Sequence, residues 1–225
     1  MNPSTRNLAG LPGIEELRRV CQSLAMLDAI ISPEWEDRYY SFNSKWAPGE
    51  MMASMRNGCG DEFFILLTQQ GAIIKGFWHE SPLSPYGNGV KVWEGILTEV
   101  PREFAEFLAE PAFSINDVTF CIWRLTDQIT WQTGQISLPE EMTRHYGDPD
   151  GSEFLLAELD GNPLSYQKYA REYFEKEIAI DTIKHIYSHK PLTEELVHSL
   201  NPEISLIDLV GDINEIGYPR IGDLK

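Results

Sequence analysis

The first strong hydrophobic pattern along the chain is helical. Apolar residues recur at intervals of three and four positions, which places them on one face of an α-helix. These residues are Leu17, Val20, Cys21, Leu24, Leu27 and Ile31. Pro12-Gly13 precedes the pattern and Ser32-Pro33 follows it, and a residue before proline resists the helical conformation. The sequence therefore predicts an N-terminal helix that stops before Pro33.

After this helix, short apolar segments alternate with turn residues, a pattern typical of β-strands. The predicted strands are Tyr39–Phe42, Met51–Arg56, Glu62–Thr68 and Ala72–Trp78. Because short connections join antiparallel neighbours, we expect these strands to form a meander. Phe63–Leu67 is apolar at every position, which predicts a central strand that is covered on both faces of the sheet.

The middle of the chain predicts a loop, a short helix and two more strands. Ser81–Gly89 contains two prolines and two glycines, so we expect no regular structure there. Pro101 suits the first turn of a short helix at Glu103–Leu108. Val118–Leu125 is a further buried strand, and a turn then leads into a strand at Ile129–Gln132.

Beyond Gly134 the pattern becomes helical again. Aromatic and small residues at helical spacing form a stripe, which consists of Tyr166, Tyr169, Ala170, Tyr173 and Phe174. Two further helices are predicted at Ala179–Tyr187 and Thr193–Leu200, where Thr193 can cap the N-terminus of the second. Ile204–Val210 is short, and its pattern is ambiguous.

These elements together predict the α+β class, with an N-terminal helix, an antiparallel meander sheet and C-terminal helices packed on the sheet. A chain of 225 residues can bury a substantial core. We favour a single domain over residues 1–225, because no flexible linker interrupts the chain. The alternative is a shift between subdomains near residue 138, with a sheet-rich part at 1–138 and a helical, more acidic part at 139–225.

The formal net charge of −17 at pH 7 narrows the range of possible partners. More than half of this charge lies after residue 138. A negative field repels phosphate backbones and anionic lipid headgroups, so we expect neither nucleic-acid nor membrane binding. The longest uninterrupted apolar run, Phe63–Leu67, is also much shorter than the roughly 20 residues of a membrane span. In sign, the charge favours basic protein partners or cations; the alternative is that the charge only keeps the protein soluble.

The cysteines indicate a cellular compartment. The chain has three cysteines, Cys21, Cys59 and Cys121, and no CxxC pair. An odd number without such a pair is typical of free thiols in a reducing environment. The N-terminal residues lack the basic stretch and the following apolar stretch of a signal peptide. We therefore expect a cytoplasmic location.

One turn carries the main catalytic candidates. Cys59 lies between two glycines, so its thiol should be exposed, and Asp61 is close in sequence. If the strands pair in sequence order, His79 and Glu80 lie near this turn, and a thiol with a neighbouring base can act as a nucleophile. However, the adjacent carboxylates Asp61 and Glu62 disfavour a thiolate. The alternative is an ordinary hairpin turn beside a histidine that the backbone satisfies.

Two segments offer weak metal candidates. His185 and His189 are four residues apart on a predicted helix, which can place both rings on one face, but no third ligand is evident. Asp148–Glu153 resembles part of a calcium loop, yet Leu159 stands where an EF-hand needs its bidentate glutamate. A turn explains Asp148–Glu153 equally well. We expect no metal and no cofactor.

Two hypotheses for function remain. In the first, the chain is an acidic, cytoplasmic, immunity-like or regulatory protein, of the bacterial kind that caps a basic partner with the help of electrostatic steering. The aromatic stripe could serve as a partner groove, although such stripes more often form core. In the second, the chain is an enzyme of an unrecognised class, with its site near Cys59, Asp61, His79 and Glu80. We favour the binding protein, because no motif specifies a chemistry.

Overall fold

A computed structural model describes residues 2–89 and 91–220, and within them the strands form one antiparallel sheet. The strands are β1 (Tyr40–Ala47), β2 (Glu50–Arg56), β3 (Glu62–Leu67), β4 (Gly71–Phe77), β5 (Phe120–Leu125) and β6 (Gln132–Thr133). Their order in the sheet follows their order in the chain. Each neighbouring pair is antiparallel. The predicted meander is therefore confirmed.

Helices precede, interrupt and follow the sheet. They are α1 (Ile14–Ile31), α2 (Pro85–Asn88), α3 (Ala105–Ala109), α4 (Glu140–His145), α5 (Ser152–Leu155), α6 (Pro163–Tyr173), α7 (Ile180–Tyr187), α8 (Glu194–Leu200) and α9 (Val210–Ile216). Single 3-10 turns lie at Leu8–Gly10, Trp35–Asp37, Arg102–Phe104, Pro111–Phe113 and Ala157–Asp160. The N-terminal helix and the C-terminal helices confirm the α+β class.

Several local predictions were wrong in detail. Ser81–Gly89 is not wholly irregular, because one helical turn, α2, begins at Pro85, where a missing N–H costs nothing. The strand predicted at Ile129–Gln132 is displaced to β6 and is only two residues long. The helix predicted at Glu103–Leu108 begins with a 3-10 turn before α3. Ile204–Val210 forms neither a strand nor a helix until α9 begins at its last residue.

The sheet is covered on both faces. Phe63 and Ile65 of β3 pack into a core that α1 and the C-terminal helices cover. Phe64 and Leu66, which point to the opposite face, pack into a second core beneath residues 83–142. The prediction that Phe63–Leu67 forms a central strand buried on both sides is therefore confirmed.

A buried carboxylate connects the helices to the sheet. Asp28, near the end of α1, has no exposed surface. One of its oxygens accepts the backbone N–H groups of Tyr39 at 3.0 Å and Tyr40 at 2.8 Å, and the other accepts the hydroxyl of Tyr166 at 2.9 Å. A single side chain thus joins α1, the start of β1 and α6. Burial raises the pKa of Asp28 to about 7, although these hydrogen bonds favour its charged form.

Further polar contacts fasten the C-terminal segment to α1. The Gln22 amide donates to the carbonyl of Ile216 at 2.8 Å, and the Asn201 amide donates to that of Ile30 at 3.0 Å. Within the C-terminal part itself, the Tyr218 hydroxyl donates to the carbonyl of Ile186 in α7 at 3.0 Å. Residues after 138 therefore contact the N-terminal helix directly. That residues 1–225 form a single domain stays a prediction.

The environment of Asp28 predicts how stability depends on pH. The folded carboxyl keeps its proton up to about pH 7, whereas an unfolded aspartate loses it near about pH 4. The folded state thus binds more protons than the unfolded state in this interval. The contribution of Asp28 to the free energy of unfolding therefore decreases as the pH rises. In chemical denaturation, Asp28→Asn should gain stability relative to the parent by roughly 4 kcal/mol between these two pH values.

The exposed Asp181 of α7, which lies 3.8 Å from Lys184, provides the control. Because exposed ion pairs contribute little, the free energy of unfolding of Asp181→Asn should differ from that of the parent by less than about 1 kcal/mol. Glu158 accepts the Tyr40 hydroxyl at 3.0 Å, and burial raises its pKa as well. Because Glu158 is present in all three proteins, its contribution to the pH dependence of stability cancels in the comparison. A constant difference in stability between Asp28→Asn and the parent across this pH range would contradict the assignment.

Candidate functional site

The turn between β2 and β3 and the end of β4 bring Asp61 and His79 together. The His79 ring nitrogen Nδ1 lies 2.6 Å from Asp61 Oδ1, and the His79 backbone N–H donates to the same oxygen at 2.9 Å. The Asn57 amide donates to Asp61 Oδ2 at 2.6 Å. Asp61 is buried, whereas 41% of the His79 side chain is exposed. The carboxylate therefore fixes the ring, as it does in acid–base sites.

Cys59 lies on the same turn and is exposed. Its backbone N–H donates to Asn57 Oδ1 at 2.9 Å. The following residue, Gly60, faces the imidazole, because a Cβ built there would lie 3.8 Å from His79 Cγ. The structure thus brings three of the four catalytic candidates to one turn. Glu80 is exposed beside them and has no hydrogen bond or ion pair within the described ranges.

The other two thiols are not available for chemistry. Cys21 belongs to the core under α1 and Cys121 to the second core. Burial raises the pKa of each to about 12. Among the three cysteines, Cys59 is therefore the one whose thiol is accessible to solvent.

The aromatic stripe of α6 runs from the core to the surface. Tyr166 is fully buried, whereas Tyr173 is 47% exposed. Tyr169 lies between them and stacks on Tyr173 at 5.4 Å between ring centroids. Tyr39 packs against Tyr173 at 4.9 Å. One end of the stripe is thus core, as we favoured, and the other end is a surface beside the start of β1.

The two histidines of the metal hypothesis are held by backbone carbonyls. His185 Nε2 lies 2.9 Å from the carbonyl oxygen of Pro191, and His189 Nε2 lies 2.9 Å from that of Arg19. These contacts use Nε2 and leave Nδ1 of each ring. The prediction that both rings share one helical face is nevertheless wrong, because α7 ends at Tyr187 and His189 follows it with φ 53°. Burial also lowers the pKa of His189. Within residues 2–89 and 91–220, no group of three or more metal-ligating side chains is present.

In the segment that resembles a calcium loop, the carboxylates form ion pairs with an arginine of the same chain. Asp148 and Asp150 both pair with the Arg6 guanidinium of the N-terminal segment. Asp150 also accepts the Ser152 hydroxyl at 2.6 Å and the Thr5 hydroxyl. The negative charge of this turn therefore holds the N-terminus in place.

A groove that the sequence did not reveal lies at the opposite end of the sheet from Cys59. Two hollows of about 730 Å³ and about 410 Å³ adjoin there. They share the turns after β1 and β3, namely Pro48, Gly49, Glu50, Thr68 and Gln69. We refer to these two hollows together as the hairpin groove. Each hollow by itself is in the volume range of ligand pockets.

The two lobes of the hairpin groove differ in chemistry. The larger lobe has apolar walls, formed by Ile14 of α1 together with Trp46, Met51 and Leu67 of the sheet. Trp46 is 37% exposed, and its ring packs 5.8 Å from that of Phe113. The smaller lobe is acidic: Glu50, Glu103 and Glu106 line it, and its described lining contains no lysine or arginine.

The cations of the larger lobe are Arg18 and Lys45. Arg18 forms an ion pair with Glu15 and donates to the Gln22 side chain at 2.7 Å, so its charge is largely compensated. The pKa of Glu15 is lowered by its hydrogen bond to Arg18. In the smaller lobe, Glu103 lies 3.8 Å from the exposed Arg102, whereas Glu50 and Glu106 form no ion pair within the described residues. The groove as a whole therefore offers an apolar floor beside carboxylates that are only partly compensated. The residues of the groove come from four separate segments of the chain, so no local sequence motif could predict it.

Comparison with known proteins gives no relative. No family model, curated protein or solved structure matches the chain. No described helix has the length and apolar character needed to cross a bilayer. The function must therefore be argued from the site itself.

Proposed function

We propose that this protein binds a basic protein partner and that the hairpin groove receives a segment of that partner. The observation that supports this proposal is the juxtaposition in one groove of an apolar lobe around Trp46 and an acidic lobe formed by Glu50, Glu103 and Glu106. The net charge of −17 adds long-range attraction for such a partner.

The two lobes define the kind of segment that fits. A large apolar side chain covers Trp46, Met51 and Leu67, where burial of apolar surface supplies affinity. A neighbouring lysine or arginine then reaches the carboxylates of Glu103 and Glu106. Tryptophan is enriched among the residues that dominate binding energy, whereas rim charges mainly set the association rate and its salt dependence. We expect binding that depends on both an apolar anchor and a cation.

Affinity capture with matched variants tests the proposal. Glu103→Gln/Glu106→Gln removes two charges from the acidic lobe, and Glu195→Gln/Glu203→Gln removes two exposed charges elsewhere. Because exposed ion pairs contribute about 0.2 to 1 kcal/mol each, the groove variant should bind the captured basic protein about two- to thirtyfold more weakly. The control variant should resemble the parent. In about 1 M salt, where charges are screened beyond about 3 Å, the parent should lose the advantage that it has over the groove variant.

A peptide array gives the same comparison without a lysate. It presents leucine or methionine beside lysine or arginine, with glutamate in place of the cation as the charge-reversed control. Failure of the parent to prefer the cationic peptides would contradict the proposal. Equal binding by the parent and the groove variant would also contradict it.

A second candidate function rests on the Asp61–His79 pair. The 2.6 Å contact, the burial of Asp61 and the exposed Cys59 on the same turn favour thiol chemistry assisted by His79. In this function, His79 takes the proton of the Cys59 thiol, and Asp61 stabilises the imidazolium that forms.

The alkylation rate of Cys59 tests this candidate. If His79 is its base, His79→Gln should slow the reaction with iodoacetamide about tenfold or more near neutral pH, as peptide mass spectrometry of residue 59 would show. His145→Gln, which changes an exposed histidine of α4, should leave the rate unchanged. Identical pH profiles for the parent and His79→Gln would eliminate the candidate without affecting the binding proposal.

A further inference from the structure

A pocket distinct from the hairpin groove lies beside β5. Because β6 pairs only with Ile122 and Trp123, the first residues of β5 extend beyond it. The chain leaves the sheet at Gly134, and a space of about 390 Å³ remains between β5 and the segment 134–138. Thr5 and Arg6 of the N-terminal segment form another of its walls. We refer to this space as the β5 pocket.

The walls of the β5 pocket are tightly built. A Cβ on Gly134 would lie 2.1 Å from the carbonyl oxygen of Gly95, and a Cβ on Gly95 would lie 2.1 Å from that of Gln135. Two glycines thus allow the segments around them to approach at backbone contact distance. Ile96, Phe120 and Cys121, which line the pocket, are almost fully buried. The space is therefore bounded by packed structure rather than by loose loops.

The polar groups of the β5 pocket are already used. The Thr119 hydroxyl donates to the carbonyl of Asp150 at 2.8 Å, and the Thr133 hydroxyl donates to that of Cys121 at 2.8 Å. The Arg6 charge is compensated by Asp148 and Asp150. Within the described ranges, the exposed Gln135 side chain has no hydrogen-bond partner. The pocket thus offers an apolar interior, no free charge and one free amide.

We infer that the β5 pocket is a binding site for a small, uncharged, mainly apolar molecule that carries one hydrogen-bonding group. The apolar walls of Ile96, Phe120, Ile136 and Leu138 contact the body of the ligand. The Gln135 amide reaches its polar group. An ionic ligand is disfavoured because burying a charge without an opposite partner is costly. The volume of about 390 Å³ is near the lower end of known ligand pockets and admits a ligand of about one or two rings.

Three probes of equal size and different charge test this inference: benzyl alcohol, benzoate and benzylammonium. Threonine methyl NMR of the parent protein reports binding directly, since Thr119 and Thr133 line the pocket. Benzyl alcohol should shift both methyl signals in a saturable manner. Each charged probe should bind at least about tenfold more weakly. Absence of any shift with benzyl alcohol, or equal binding of the three probes, would overturn the inference.

A pair of isoleucine variants locates the binding. Ile136→Trp fills the pocket and should abolish the shifts, whereas Ile129→Trp places the same side chain at a position that is 89% exposed and should leave them unchanged. If Ile136→Trp does not fold, Gln135→Ala provides the second test and should weaken benzyl alcohol binding several-fold. Loss of the shifts in Ile129→Trp, or full binding by both Ile136→Trp and Gln135→Ala, would place the probe elsewhere and contradict the inference.

Discussion

The buried carboxylate of Asp28 is the contact on which the arrangement of the other elements depends. It accepts hydrogen bonds from two backbone N–H groups at the start of β1 and from the hydroxyl of Tyr166 on α6. A buried acid that lost these donors would be left unsatisfied, at a cost comparable to a large fraction of the stability of a domain. The carboxylate therefore fixes where α1 ends relative to the sheet and which helix packs beside it.

This joint also positions the hairpin groove at the other end of the sheet. From Asp28 back to Ile14, α1 spans about 21 Å at about 1.5 Å per residue. From Tyr40 to Ala47, β1 spans about 23 Å at about 3.3 Å per residue. Because the two elements have similar lengths and are joined at one end, the first turn of α1 lies beside the β1–β2 turn. Ile14 thereby becomes a wall of the groove that also contains Trp46.

The sequence predicted what depends on local pattern. The periodicity of α1 predicts the first helix, and the alternation of apolar segments with turns predicts the meander. Phe63–Leu67 is predicted to be the central strand because both of its faces are apolar, and both faces are buried in the structure. The proximity of Asp61 and His79 also followed, since antiparallel pairing of β3 and β4 places a turn beside a strand end. Short helices such as α5 and α9 gave too few periodic positions, because helices of this length depend on tertiary contacts. The hairpin groove was missed since its walls are brought together only by folding.

The two ends of the sheet thus offer different chemistry: an aspartate–histidine pair beside Cys59 at one end, and an apolar and acidic groove at the other. Hydrogen–deuterium exchange of the protein, with and without its captured basic partner, distinguishes them directly. Binding through the hairpin groove predicts protection of residues 44–51 and 67–70, with unchanged exchange at 57–61 and 78–80. Protection confined to 57–61 and 78–80 would contradict it and would place the partner over Cys59 and His79.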